Sequence, residues 1–195
     1  MAIRNNLLLA IAYLFLVPII RGIANLDAVH TAECLEQSVV LVGIIMVVPI
    51  NAMERSKVLQ EVVCTKKIQQ WVILLIRLIM SLIILITMTG LFAGIMKWNN
   101  CKFPYMPYVA GTLISELALG SVGLFAALLS NSTVIGYLVS MGYFLFNVLG
   151  NISSKNVLCL FTMGTGGYVI KVWLMGISVV LIVAALVYKK RKKCY

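Results

Sequence analysis

The chain has 195 residues, of which 62% are hydrophobic and 11% charged, and its mean hydropathy is +1.05. This composition excludes an ordinary soluble domain, because several apolar runs are long enough to cross a hydrocarbon core about 30 Å thick. The net charge of +10 does not indicate a nucleic-acid partner, since the basic residues flank apolar runs, where they determine membrane topology. We therefore expect a membrane protein embedded in the lipid bilayer.

The apolar runs predict an all-α fold in a single transmembrane domain over residues 1–195. Six transmembrane helices are predicted, over residues 7–24, 37–53, 71–96, 108–129, 133–149 and 168–188. Residues 25–36 are polar and predict a loop between the first two spans. Residues 150–167 are too polar for a full span but contain apolar residues, which predicts a re-entrant segment between spans 5 and 6.

Residues 54–70 form the one extended charged segment between apolar runs. Val58, Leu59 and Val62 recur at the spacing of a helix with one apolar stripe. Glu54 and Glu61 fall outside that stripe. The pattern predicts a short amphipathic helix between spans 2 and 3, placed where another protein could press on it.

The distribution of basic residues predicts the orientation in the membrane. With six spans, eleven of the 16 Lys and Arg residues fall on one face, and five fall on the other: Arg21, Lys97, Lys102, Lys155 and Lys171. The positive-inside rule then places both termini and the 54–70 helix in the cytoplasm of a cell bounded by this plasma membrane.

Glu116 is predicted to lie inside the fourth span, where a carboxyl group is costly and marks a functional-site hypothesis. Arg77 in span 3 and Arg21 at the outer end of span 1 are its candidate basic partners, although both differ from it in predicted depth. A substrate or proton role and a purely structural hydrogen bond both remain open. Small residues in the same span predict close helix packing, and they are Gly111, Ser115, Gly120 and Gly123.

His30 and Cys34 stand four residues apart with an acid between them, a set that a cysteine peptidase could use. The loop in which they lie is predicted to be outside, so we prefer a solvated loop. Cys34, Cys101 and Cys159 share that side, where two of the three could form a disulfide of undetermined pairing. The ligands for a metal site are too few, and no phosphate-binding loop occurs in the sequence.

The segment Glu54-Arg-Ser-Lys-Val-Leu-Gln60-Glu61-Val-Val-Cys-Thr65, which continues directly from the second span, resembles the coupling helix of the integral-membrane permease of type-2 ABC exporters. The tight turn Ser130-Asn131-Ser132 resembles the short inner loop of that family, and residues 150–167 resemble its re-entrant segment. The resemblance covers nearly the whole chain. One departure is that the family usually has an amphipathic interface helix before the first span, whereas about six residues precede it here, so that this element is either missing or different.

The resemblance implies a permease that moves an amphipathic or apolar cargo, for example an antimicrobial peptide, in export or bacteriocin immunity. Its expected partners are an ABC-type ATPase subunit, which binds ATP and Mg, a second permease chain, identical or related, and the lipid bilayer. This chain would be no enzyme and bind no cofactor. The expected ATPase contacts are Glu54, Lys57, Val58, Leu59, Glu61, Val62 and Thr65. The alternatives are a membrane-embedded cysteine peptidase and a non-transporting immunity protein.

Overall fold

A computed structural model of the chain describes residues 2–50, 70–150, 158–165 and 168–191. Helices account for 86% of these residues, and no strand occurs among them. The predicted all-α fold class is therefore confirmed. Residues 54–69 of the predicted coupling helix lie outside the described residues, and the coupling helix stays a prediction.

Helix α1, Ala2–Arg21, contains Pro18 in its last turn. It ends where Gly22 adopts a φ of +67° and donates its N–H to the Pro18 carbonyl at 3.1 Å. A left-handed glycine directly after the last helical residue is a common helix stop.

The second helical stretch has three consecutive parts. They are α2, Ala28–Cys34, a π-helical turn, Leu35–Val39, and α3, Leu41–Val47. Together they form one continuous apolar helix over Ala28–Ile50, which we call the second rod. The predicted polar loop over residues 25–36 is therefore wrong from Ala28 onward. Glu36 was expected to be solvated, but it is 3% exposed, because a basic side chain elsewhere in the bundle neutralises it.

Four further helices follow among the described residues, with one short 3₁₀ turn before the last of them. They are α4, Gln70–Trp98, α5, Tyr105–Leu129, α6, Thr133–Leu149, the turn Met163–Thr165, and α7, Tyr168–Arg191. A tight turn joins α5 to α6, and Asn131 within it has a φ of +52°.

Within the part of the chain that the structure describes, four helices are long and apolar enough to cross a membrane: Ala28–Ile50, Trp71–Trp98, Tyr105–Leu129 and Val169–Arg191. Two apolar helices are shorter, Asn5–Arg21 and Thr133–Leu149. The 17 residues of α6 give a length of about 25 Å, which is less than a hydrocarbon core of about 30 Å. The helices are those of a membrane-embedded protein, and the count of six spans stays a prediction.

Helix α5 is the centre of the bundle and packs against α3, α4, α6 and α7. Its small residues allow the close packing that the sequence predicted. A Cβ atom at Gly120 would lie 2.7 Å from Cβ of Val47, and one at Gly123 would lie 2.5 Å from a methyl group of Val48. Helices α4 and α7 bury far less of their length, so their outer faces are apolar surface available to lipid.

Candidate functional site: a buried ion pair and a buried carboxyl group

A buried ion pair links the second helical rod to the last helix. Oε1 of Glu36 lies 2.6 Å from Nζ of Lys171, and the two side chains are each 3% exposed. Glu36 belongs to the π-helical turn Leu35–Val39, a local widening of the helix that is frequent at functional sites. Lys171 is the fourth residue of α7. The pair therefore joins two elements from opposite ends of the chain.

The ammonium group of Lys171 has three N–H donors, and all three find acceptors. Besides Glu36 it donates to Oγ of Ser115 on α5 at 2.6 Å and to the carbonyl of Leu160 at 2.5 Å. Leu160 lies in the connection between α6 and α7. The charge is thus fully hydrogen-bonded, as a buried ammonium group must be to avoid a large desolvation cost.

Glu36 binds the same connection through its other hydrogen bonds. The carboxylate accepts the backbone N–H of Thr162 at 3.1 Å and that of Met163 at 3.2 and 3.3 Å. Met163 in turn fills a notch on α5, because Gly111 has no Cβ atom and one placed there would collide with the Met163 sulfur. The ion pair and the notch together hold residues 160–163 inside the bundle.

The far side of this connection is fixed by α6. The Asn147 side chain accepts the N–H of Leu160 at 2.9 Å, and the hydroxyl of Tyr143 donates to the Leu158 carbonyl at 2.8 Å. The fully described part of the connection, residues 158–164, which we call the inserted strap, is therefore bonded to α6, to the second rod and to α7.

Glu116 forms a second, separate polar site at the middle of α5. Its side chain is completely buried, and Oε1 accepts the hydroxyl of Thr89 on α4 at 2.8 Å. Oε2 has no hydrogen-bond partner among the described residues. Gly43 of α3 packs directly against the backbone of Glu116. Glu116 lies inside the span-length helix Tyr105–Leu129, whereas Glu33 and Glu36 both lie inside another, Ala28–Ile50, and of these two only Glu36 is buried.

Neither predicted basic partner contacts Glu116. Arg77 lies twelve residues before Thr89 on α4, about 18 Å along the helix axis. Its Nη1 donates to the carbonyl of Ile50 at 3.5 Å. Arg21 donates to the side chain of Gln37 at 2.5 Å. Arg77 and Glu116, the two intramembrane polar residues predicted from sequence, therefore belong to different places in the bundle.

The other predicted residues divide into two groups. Glu54, Lys57, Val58, Leu59, Glu61, Val62 and Thr65 lie outside the described residues. In α2, His30 is exposed, whereas Cys34 is 2% exposed. A substrate could not reach the Cys34 thiol in this arrangement. Cys34, Cys101 and Cys159 are all free and buried.

The Glu36–Lys171 pair is not among the sequence predictions. The predicted position of Lys171 on the outer membrane face, as a topology-determining base, is wrong, because this side chain is buried within the protein. A signal for the pair was present: Lys171 interrupts an apolar run after two residues, Val169 and Ile170, and an acid adjoins another apolar run. Opposite charges placed in two apolar runs are an indication of mutual neutralisation.

Comparison of the chain with protein-family models, with curated proteins and with solved structures found no match. The class of protein therefore rests on the fold and on the buried polar groups. Both define a membrane-embedded helical bundle in which the inserted strap is anchored by a buried ion pair.

Proposed function

We propose that this chain is the permease subunit of a type-2 ABC exporter that works with a separate ATPase subunit. The observation that carries the proposal is the inserted strap between α6 and α7. Leu160 and Thr162 in the strap are both 0% exposed, and the strap is bonded to three helical elements. A re-entrant connection before the last span is the feature that the resemblance to these permeases implies.

The position of residues 54–69 in the chain also supports the proposal. They follow the rod that ends at Ile50 and precede α4, which begins at Gln70. The two flanking helices pack against each other, and Arg77 donates a long hydrogen bond of 3.5 Å to the Ile50 carbonyl. A force applied to the intervening segment is then transmitted to two helices that are already joined, which is what a coupling element requires.

In the proposed cycle, two permease chains associate with two ATPase subunits in the plasma membrane, with the termini of this chain in the cytoplasm. ATP binding, with Mg, closes the ATPase dimer and biases a bundle that has two conformations. Glu54 and Glu61 contact basic or backbone groups of the ATPase. Val58, Leu59 and Val62 pack into its groove or against the membrane.

The described interior favours an apolar or amphipathic cargo over an ion. Glu36 and Lys171 neutralise each other, and the remaining acceptor of Glu116 is enclosed. Neither group is free to bind a charged solute. An antimicrobial peptide exported for release or for self-protection fits this requirement.

The decisive experiment is co-purification of the detergent-solubilised chain with ABC-type ATPases from the same genome. Two charge-reversal variants, Glu54→Lys and Glu61→Lys, test the coupling segment. Glu33→Lys is the matched control, because Glu33 is an exposed acid in α2 on the face predicted to be outside.

We expect the wild type and the Glu33→Lys variant to retain one ATPase and both coupling-segment variants to lose it. Retention of the ATPase by the coupling-segment variants would contradict the assigned contact. Failure of the wild type to bind any ATPase would contradict the exporter proposal as a whole.

A further inference from the structure

A narrow cleft opens at the end of the bundle where α1 and α4 both begin. Asn6 of α1, Arg77 and Ser81 of α4 form its polar side, and Met80 and Ile84 of α4 form part of its apolar side. Met80 is 53% exposed. The cleft therefore opens onto the face of α4 that is available to lipid.

The guanidinium group of Arg77 is poorly satisfied within this cleft. It has five N–H donors, and its hydrogen bond to the Ile50 carbonyl is long, at 3.5 Å. Among the residues that the structure describes, Arg77 forms no ion pair. An arginine in a membrane helix is costly unless oxygen acceptors or an opposite charge compensate it, so the site calls for an anionic ligand.

Arg77 lies close enough to the start of α4 for its side chain to reach the membrane interface. The residue lies about 10 Å along the axis from the start of α4 at Gln70. Long side chains on a helix point back toward its amino terminus, and an arginine extends its charged end toward the interface. The guanidinium group is thereby placed near the level at which lipid phosphates lie.

The shape of the cleft specifies how such a ligand would enter. The cleft has a volume of about 20 Å³, which accommodates one atom group of the size of water. A single phosphate oxygen fits there, while the rest of the head group stays at the mouth. The apolar side chains of Met80 and Ile84 then lie where an acyl chain would run.

We propose that Arg77, with Asn6, forms a binding site for the phosphodiester group of an anionic phospholipid. The net negative charge of such a lipid complements the guanidinium charge, whereas the choline group of a zwitterionic lipid offsets it. Basic pockets between membrane helices are an established way to hold anionic head groups. The proposal is independent of the exporter function.

Native mass spectrometry of the full chain, purified in detergent and titrated with phosphatidylglycerol or phosphatidylcholine, tests the site. We expect the wild type to prefer phosphatidylglycerol and the Arg77→Gln variant to bind it at least about tenfold more weakly, as loss of a charge-assisted hydrogen bond implies. Arg77→Lys should retain part of the affinity. The matched control is Arg21→Gln, because Arg21 is exposed and bonded to Gln37, and it should bind like the wild type.

Inorganic phosphate added at millimolar concentration separates a lipid site from a general anion site. We expect it to leave phosphatidylglycerol bound, and displacement would contradict a lipid-specific site. Equal binding of the two lipids by the wild type would overturn the proposal, as would unchanged phosphatidylglycerol affinity in the Arg77→Gln variant. If Arg77→Gln does not fold, Arg77→Lys decides the question, because unchanged phosphatidylglycerol affinity in that variant would contradict the expected partial loss.

Discussion

Nζ of Lys171 lies 2.6 Å from Oε1 of Glu36, and both side chains are almost completely buried. The same two groups bind three residues of the inserted strap, through the Leu160 carbonyl and the N–H groups of Thr162 and Met163. One ion pair therefore serves two purposes. It neutralises two charges within an apolar bundle, and it binds backbone groups of the inserted strap that an α-helix would pair internally.

Neutralising either member of this pair alone is expected to destabilise the protein strongly. Glu36→Gln and Lys171→Met should each lower the free energy of unfolding by about 3–5 kcal/mol, because the remaining partner becomes an uncompensated buried charge. Denaturant unfolding of the purified protein, followed by tryptophan fluorescence, measures the loss.

The double variant Glu36→Gln/Lys171→Met is compared with the two single variants. It leaves no buried charge, so it should lose less stability than either single variant. Glu33→Gln changes an exposed acid in the adjacent helix and should stay within about 0.5 kcal/mol of the wild type. A double variant as unstable as the sum of both singles would show that the two charges act independently.

Loss of the ion pair should also release the inserted strap, and Cys159 reports this directly. Cys159 is a free thiol in the strap and is 4% exposed. In a variant that keeps only this cysteine, Lys171→Met should raise the rate of labelling by a maleimide at least about tenfold, equivalent to about 1.4 kcal/mol less protection.

Cys101 provides the control for that measurement. It is similarly buried, at 6% exposure, but its thiol donates to the Ile23 carbonyl in a different loop. A variant that keeps only Cys101 should label at the same rate with and without the Lys171→Met change. A parallel rise at both cysteines would indicate general unfolding and would contradict local release of the strap.

The helices and the strap differ in how far the sequence predicts them. Hydropathy is a local property, so the apolar runs predict helices directly, and the turn residues Ser130 and Asn131 mark the break between α5 and α6. The contact between Glu36 and Lys171 joins residues from distant parts of the chain. The local sequence places each charge in or beside an apolar run, but it does not specify that these two side chains meet.

At Glu116, too, the sequence predicts the location of a group but not its contact partner. An acid in the middle of an apolar run predicts a buried carboxyl group, and the structure confirms that location. Its partner, Thr89, is one of several hydroxyl residues on the apolar helices and carries no distinguishing signal in the sequence. The prediction of a basic partner for Glu116 is wrong, because a neutral hydroxyl group provides the hydrogen bond to this carboxyl group.

Gly43 is expected to be essential for the contact between α3 and α5. A Cβ atom there would collide with backbone atoms of Glu116, and a backbone cannot move aside as a flexible side chain can. Gly43→Ala should therefore cost about 1–3 kcal/mol of stability. Gly94 on α4 has open space around it, so Gly94→Ala should be neutral or stabilising by up to about 1 kcal/mol. Equal effects at both glycines in thermal unfolding would contradict the close contact.

The last prediction concerns Glu116, which differs from Glu36 in having no ion-pair partner among the described residues. An ionised carboxylate enclosed by three helices without a cation would be very costly, so we expect this group to be uncharged. Glu116→Gln preserves the shape and an acceptor for the Thr89 hydroxyl, and it should change stability by less than about 1 kcal/mol. Glu116→Lys introduces a buried charge and should prevent folding or cost more than about 4 kcal/mol.

The Thr89 hydroxyl supplies the control for this site. Thr89→Val removes the one hydrogen bond to the carboxyl group and should cost about 1–3 kcal/mol, whereas Thr89→Ser keeps the donor and should cost less. The comparison that decides the matter is between the two Gln substitutions, measured side by side by denaturant unfolding. If Glu116→Gln is as destabilising as Glu36→Gln, then Glu116 carries a charge in the folded protein and a cation must lie against its free oxygen.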